Sequence, residues 1–220
     1  MSEKLNLNFS KKANEYIAEG KKIISLGLGE PHFAAPIEII ESTIQAIKNG
    51  ETKYCNHMGL IELRKLISQK LFEDNLIKTN YLDIAITHGA KQAILIALQA
   101  LLKPNDEVIN LSPCFLSFIP LIRIAEPSAK IININLKKKD FSIDKHKIHK
   151  KISNKTKAIL INFPHNPTGA ILSEDDNKFF VDLLTKFPKC YLVSDELYEA
   201  LVWKDFKQKS LGSFDEISKR

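Results

Sequence analysis

Short apolar runs that alternate with amphipathic helices constrain the fold of this chain more than any other feature of its sequence. The runs are rich in Ile, Val and Leu and are bounded by turn residues, which is typical of buried strands. Predicted strands cover residues 83–87, 107–111, 130–136, 156–163 and 190–195, and predicted helices cover 9–19, 36–48, 59–72, 91–102, 144–152 and the segment from Ser173 to about Phe187. This alternation indicates β-α-β crossovers, so we predict an α/β fold with a mostly parallel sheet and helices on both faces.

A parallel sheet also predicts where a ligand binds, because ligands collect beyond the carboxyl ends of its strands. In this chain those ends fall at residues 87–90, 112–115, 163–169 and 194–196. We therefore expect these four segments to lie along one edge of the sheet.

The charge of the 220 residues leaves two interpretations of the surface open. The formal net charge is +6, and lysines concentrate at residues 137–139 and 145–157. Such a run can attract nucleic acid. Asp140, Asp144 and Ile148 interrupt it, however, and no aromatic side chain lies within 145–157 to stack on bases. We favour a solvated surface and expect no nucleic-acid partner.

Cysteine usage and hydropathy indicate a cytoplasmic protein. The three cysteines, Cys55, Cys114 and Cys190, have no C-x-x-C spacing, which argues against a disulfide framework or a zinc ribbon. The longest apolar stretch, residues 93–102, is too short to span a bilayer. The first residues, MSEKLNLNFSKK, contain no apolar segment typical of a secretory signal. We therefore expect a cytoplasmic location and no membrane partner.

The strand ends carry residues that could bind a ligand, although most of them also have an ordinary structural explanation. Gly89 opens a helix whose first N–H groups could hold a phosphate, yet any tight turn can use glycine. Asp195 could face a protonated ligand nitrogen, or could cap a helix or form an ion pair. Phe115 could offer a flat apolar face or belong to the core. Asn166, within N-P-T-G, adds an amide that a turn does not require.

The order of the motifs is more specific than any one of them. The chain contains G-E-P-H-F at 29–33, Tyr54 with Gly59 and L-R at 63–64, G-A-K-Q-A at 89–93, P-C-F at 113–115, N-P-T-G at 166–169 and S-D-E-L-Y at 194–198. This set closely resembles the class I and II aminotransferases, which are pyridoxal-phosphate enzymes of the aspartate aminotransferase fold type. The resemblance covers about residues 9–213. It implies fold type I of the PLP-dependent transferases, pyridoxal 5'-phosphate as cofactor, and an α-amino acid and a 2-oxo acid as substrates.

The resemblance also implies which residues hold the ring of the cofactor. Phe115 would stack on the pyridine ring, and Asn166 and Tyr198 would hydrogen-bond its 3-oxygen. Asp195 would pair with the ring nitrogen and keep it protonated, so that the ring draws electrons from the α-carbon of the substrate.

Further residues are implied for the phosphate and the substrate. Gly89, Ala90 and Lys91 would hold the phosphate through their backbone N–H groups, which agrees with the anion site proposed above. Tyr54 would reach the phosphate across the interface of a homodimer, and Gly29 would meet the substrate carboxylate. The resemblance implies an N-terminal arm with part of the small domain over residues 1–35, and an incomplete cofactor-binding large domain over residues 36–220.

The lysine that forms the family's Schiff base is expected beyond this chain. In the family it follows a further strand, in S-x-S-K or a similar motif. Ser218 and Lys219 resemble that motif only superficially, and we expect Lys219 to be an exposed tail lysine. We therefore assign no catalytic residue and expect little or no transaminase activity from residues 1–220 alone. A truncated or split gene product, a fragment of a longer enzyme, and a chain completed by a separate C-terminal polypeptide all remain open.

Functions other than an active aminotransferase remain open. The main alternative is a catalytically inactive fragment or partner subunit that binds pyridoxal phosphate or another phosphate. A Rossmann nucleotide-binding protein is a weaker alternative, because His32 stands where the motif that begins at Gly27 needs a third glycine. His146 and His149 lie one helical turn apart, but the surrounding lysines favour a solvated face over a metal site.

Overall fold

The computed structural model of the protein describes residues 3–24, 29–203 and 205–218, with the backbone alone for residues 3–8 and 10. The described chain divides into two compact units, Met1–Cys55 and Asn56–Arg220. The predicted domain division at residue 35 stays a prediction. Gly27 and Lys219, about which the sequence makes specific predictions, lie outside the described residues.

The described residues of the first unit form two helices, α1 (Glu3–Ala18) and α2 (Ile37–Lys48). Helix α2 is amphipathic because its isoleucines recur at helical spacing. None of its side chains is buried, however, and five of its isoleucines are exposed.

The second unit is built around a four-stranded sheet. Its strands are β1 (Glu107–Ser112), β2 (Lys130–Asn135), β3 (Thr156–Asn162) and β4 (Tyr191–Asp195), and its helices are α3 (Ile61–Asn75), α4 (Ala90–Leu101), α5 (Phe118–Ala125), α6 (Lys145–Lys151) and α7 (Glu174–Lys186). The strand order is β2-β1-β3-β4, and every pair of neighbouring strands is parallel. The prediction of a parallel sheet is therefore confirmed for all four strands.

The two faces of the sheet carry separate apolar cores, because successive side chains of a strand point to opposite faces. In β3, Ile159 and Ile161 belong to the cluster that contains Phe180 of α7. Ala158 and Leu160 belong to the other cluster, which contains Leu98 of α4 and residues of α5. Burying each large side chain of this kind stabilises the fold by about 1.5–3 kcal/mol. The helices on both faces follow from this alternation.

One sequence prediction for this unit is wrong, and one helix was not predicted. The predicted strand at 83–87 is a 3-10 helix (Tyr81–Asp83) followed by backbone that belongs to no strand. A β-strand forms by hydrogen bonding to a neighbouring strand, and the four-stranded sheet does not include this segment. The sequence analysis also missed α5, where Phe118, Leu121 and Ile122 are buried. The stretch is only eight residues long and contains Pro120, a residue that breaks helix interiors but is tolerated in the first turn.

The described helices can also be compared with what a membrane-spanning helix requires. Among the described residues, no helix combines the length and the apolar character that crossing a bilayer requires.

Candidate functional site

A cavity of about 290 Å³ lies at the carboxyl ends of β3 and β4, beside the N-terminus of α4. Its volume is near the lower limit of small-molecule sites. It is lined by His88, Gly89, Ala90, Lys91, Ile94, Phe115, Asn162, Asn166, Asp195, Leu197 and Tyr198. Seven of the eight predicted cofactor-binding residues therefore lie together, and the exception is Tyr54. The expectation that the strand ends share one edge of the sheet accounts for this convergence.

The ends of β3 and β4 are tied together by Asn162. Asn162 and Asp195 are partners in the parallel register. The Asn162 Nδ2 donates to the backbone oxygen of Asp195 at 2.9 Å, and the Asn162 Oδ1 accepts the N–H of Asn166 at 2.9 Å. The side chain of Asn162 thus fixes both the aspartate and the start of the N-P-T-G turn.

Asp195 is the acidic group of the cavity. Its Oδ1 accepts the backbone N–H of Leu197 at 3.2 Å. Burial raises the pKa of the Asp195 carboxyl above its ordinary value, and the hydrogen bond from Leu197 only partly opposes this effect. A half-buried carboxylate in this position would be stabilised by a ligand that brings a positive charge.

The N-P-T-G turn carries Asn166 into the cavity. The Asn166 Nδ2 donates to the Tyr198 hydroxyl at 3.1 Å, which joins this turn to the segment that follows β4. The turn itself is held by His165, whose N–H donates to the Ala170 carbonyl at 2.8 Å and whose Nδ1 lies 2.7 Å from the Thr168 Oγ1. Burial lowers the pKa of the His165 imidazole, so this side chain is neutral near pH 7.

An aromatic ring closes another side of the cavity. Phe115 packs edge-on against the buried Phe118, with ring centroids 5.7 Å apart, and this contact fixes the ring of Phe115. The Lys91 Nζ lies 5.5 Å from the centroid of the Phe115 ring. The cavity therefore combines a flat apolar surface with a cation.

The turn that leads into α4 also lines the cavity, and its electrostatic character is opposite to that of Asp195. Gly89 is in the left-handed region, with φ of 81°, and an added Cβ would meet nothing within 4 Å. Among the described residues no side chain caps α4, so the positive end of the helix can receive an anion. The Gly89 N–H donates to the Thr87 carbonyl at 2.9 Å, so this group is already engaged in the structure.

The two remaining predicted residues belong to the first unit. Tyr54 is fully exposed, and Gly29 lies in irregular backbone, where an added Cβ would meet no described residue within 4 Å. Their predicted roles toward the phosphate and the substrate carboxylate stay predictions.

Sequence reasoning missed Asn162, the residue that ties the two strand ends together. The sequence signal that could have identified Asn162 is the same as for Asp195, namely a polar side chain that ends an otherwise apolar strand. As for metals, the part of the chain that the structure describes contains no group of three His, Cys, Asp or Glu side chains able to hold an ion.

Comparisons with known proteins agree with this geometry. The sequence profile of the family described as "Aminotransferase class I and II" matches residues 21–218. A probable aspartate/prephenate aminotransferase of Aquifex aeolicus is 35% identical over 213 residues, which are 96% of this chain and 53% of that protein. An aspartate aminotransferase of Thermotoga maritima is 36% identical over 88% of this chain and 51% of its own length.

The fold comparison gives the same result. The solved aspartate aminotransferase from Thermus thermophilus with maleate superimposes with a TM-score of 0.89 and 32% identity, over 94% of this chain and 54% of that chain. The predicted fold type is thereby confirmed. The chain spans about half the length of the relatives that it matches.

Proposed function

The chain belongs to the class I and II aminotransferases, and from this premise we propose that its second unit binds pyridoxal phosphate in the cavity between β3, β4 and α4. The observation that carries the proposal is Asp195, a half-buried carboxylate with a raised pKa that faces the cavity. A protonated pyridine nitrogen is a cation of the size and shape that such a carboxylate would bind.

The residues that line the cavity fit each part of the cofactor. Asp195 would hold the proton on the ring nitrogen, and Asn166 and Tyr198 would donate hydrogen bonds to the 3-oxygen. Phe115 would cover the ring and exclude water from one of its faces. When bound, the cofactor supplies a protonated ring that accepts electrons from the α-carbon of an amino acid.

The phosphate would bind at the other end of the cavity. The N-terminus of α4, from Gly89 to Lys91, supplies a positive helix end, and the open space at Gly89 leaves room for the phosphate oxygens. The proposed sites thus place the negative end of the ligand beside the helix and its positive nitrogen beside Asp195. The electrostatics of the cavity match the ligand at both ends.

The reaction that we propose for the whole enzyme is transfer of an amino group between an α-amino acid and a 2-oxo acid. Because two relatives are named for aspartate, aspartate with a 2-oxo acid is the first substrate pair to test. A partner is also proposed, either a second copy of the chain or a complementing polypeptide. The edge of β4 away from β3 supports this, since no strand of the described chain pairs with it.

The test is titration of the purified chain with pyridoxal phosphate, followed by absorbance and fluorescence. We expect saturable binding to the wild type and at least tenfold weaker binding to Asp195→Ala, because the ring nitrogen would lose its counter-ion. Asp182→Asn, which changes an exposed carboxylate of α7, is the control and should bind like the wild type. Wild-type affinity in Asp195→Ala would refute the proposed site.

Borohydride reduction separates the enzyme from the alternative of an inactive binding chain. A reduced lysine–cofactor bond, located by mass spectrometry, would support an active enzyme. Reversible binding without covalent label would support the inactive chain. Light scattering of the same samples reports whether the chain is a dimer.

A further inference from the structure

The segment that follows β4 presents two sets of side chains. Asp195 and Tyr198 line the candidate cofactor cavity, whereas Glu196 and Glu199 line a separate cavity of about 410 Å³. The backbone between them is a tight turn, in which the Glu199 N–H donates to the Glu196 carbonyl at 3.0 Å. One short segment therefore carries both sets of side chains.

Glu196 is held by two hydroxyl groups. Its Oε1 accepts hydrogen bonds from the Ser194 Oγ at 2.8 Å and the Ser210 Oγ at 3.0 Å. Ser210 is itself buried and precedes a 3-10 helix (Leu211–Ser213) whose Leu211 belongs to the core. The side chain of Glu196 thus joins the turn to a buried part of the second unit.

Glu199 is held by helix α3. Its Oε1 forms an ion pair with the Lys70 Nζ, and its Oε2 accepts the Asn75 Nδ2 at 2.6 Å. The Lys70 Nζ also donates to the Asn75 Oδ1 at 2.7 Å, so the three side chains form a closed network. Burial opposes ionisation of Glu199, but the bonds from Lys70 and Asn75 outweigh it and lower the pKa of this carboxyl. Glu199 is therefore ionised near pH 7 and fastens the far end of the turn.

We propose that Glu196 and Glu199 are positioning residues for the cofactor, a carboxylate clamp that fixes the turn so that Asp195 and Tyr198 face the ring. This inference rests on the proposed function. Its physical basis is preorganisation, because a turn that is already ordered loses less entropy when a ligand binds to it. Neither glutamate lines the cofactor cavity.

The variants Glu196→Ala and Glu196→Gln separate anchoring from charge. Glutamine can accept both serine hydroxyls through its amide oxygen, whereas alanine accepts neither. Glu199→Ala tests the other half of the clamp. Glu41→Gln, on exposed α2, is the matched control for loss of a carboxylate.

Two ligands distinguish positioning from a general structural role. Pyridoxal phosphate uses the turn and the helix end, whereas inorganic phosphate uses only the helix end at Ala90. In Glu196→Ala we expect affinity for pyridoxal phosphate to fall about tenfold, with affinity for inorganic phosphate unchanged within twofold. Glu196→Gln should recover affinity to within threefold of the wild type. Equal weakening of both ligands, or wild-type affinity in both alanine variants, would overturn the clamp.

Hydrogen exchange tests the clamp without any cofactor. We expect amides of residues 196–201 to exchange at least tenfold faster in Glu196→Ala and Glu199→Ala than in the wild type, and unchanged exchange would refute the proposal. If the wild type binds no pyridoxal phosphate, the proposed function fails, and exchange alone decides the clamp. Should Glu196→Ala not fold, Ser210→Ala, which removes one of the two anchoring hydroxyls, takes its place.

Discussion

Helices α2 and α7 have similar lengths and similar amphipathic patterns, yet only one of them is packed. Helix α7 buries Phe179, Phe180, Leu183 and Leu184 against the sheet. Helix α2 buries no residue, and its isoleucines are exposed to solvent. Periodicity alone therefore does not show whether a helix packs against the rest of a protein, and packing supplies most helical stability.

The N-termini of the two helices differ in the same way as their packing, because the packed helix is also the capped one. The N-terminus of α7 carries a capping box, in which the Ser173 Oγ accepts the Asp176 N–H at 3.1 Å and the Asp176 Oδ2 accepts the Ser173 N–H at 3.1 Å. Helix α2 follows Pro36 and has no side-chain cap. Local sequence signals and tertiary packing thus reinforce each other in α7, which is the helix that joins β3 to β4.

The largest expected effect is loss of the packed face of α7. Phe180 is fully buried, so Phe180→Ala should reduce the free energy of unfolding by about 3–5 kcal/mol. Ile44→Ala in α2 should change it by less than about 0.5 kcal/mol, because the side chain is already exposed. Urea denaturation followed by circular dichroism measures both. Similar losses from the two substitutions would show that α2 is packed in solution.

A smaller effect is expected from removing a single hydroxyl group from each helix. Ser173→Ala removes an acceptor from the N-terminus of α7 and should destabilise the chain by about 1 kcal/mol. Thr43→Ala also removes a hydroxyl, which in α2 donates to the Ile39 carbonyl at 2.7 Å in the exposed helix interior. Since alanine favours helix more than threonine does, we expect no loss of stability there. Thermal unfolding of both variants checks the contrast, which fails if Thr43→Ala is the more harmful.

The sequence predicts the sheet of the second unit well because the signals for its strands are local. Strands β1 to β4 begin and end within one residue of the predicted ranges, since each apolar run is bounded by turn residues. The Ser173 cap is also confirmed. The segment 83–87 is predicted wrongly because local composition cannot report whether a neighbouring strand is available. Tertiary partners decide strand formation there.

The candidate site also contains both residues that the sequence predicts and residues that it does not. The residues at strand ends, such as Asp195 and Asn166, could be predicted because parallel strands end at one edge and the motifs carry family information. Asn162 carries the same sequence signal as Asp195, but the signal does not reveal its hydrogen bond to Asp195. The proposed role of Glu196 and Glu199 could not be predicted, since it depends on contacts with residues distant in sequence, among them Ser210 and Lys70. A sequence pattern identifies a polar residue, but only the fold identifies its partner.

The smallest expected effect concerns burial of charge rather than of apolar surface. Because burial raises the pKa of Asp195 in the folded state, the folded chain holds this proton more tightly than the unfolded chain does. The resulting stabilisation is complete below the unfolded pKa, near 3.8, and is lost as the pH rises through the folded pKa. Asp195→Asn should therefore raise the melting temperature more at pH 7 than at pH 4. The control is Glu41→Gln in α2, which removes an exposed carboxylate. An equal gain for Asp195→Asn at both pH values would mean that the Asp195 carboxylate is solvated.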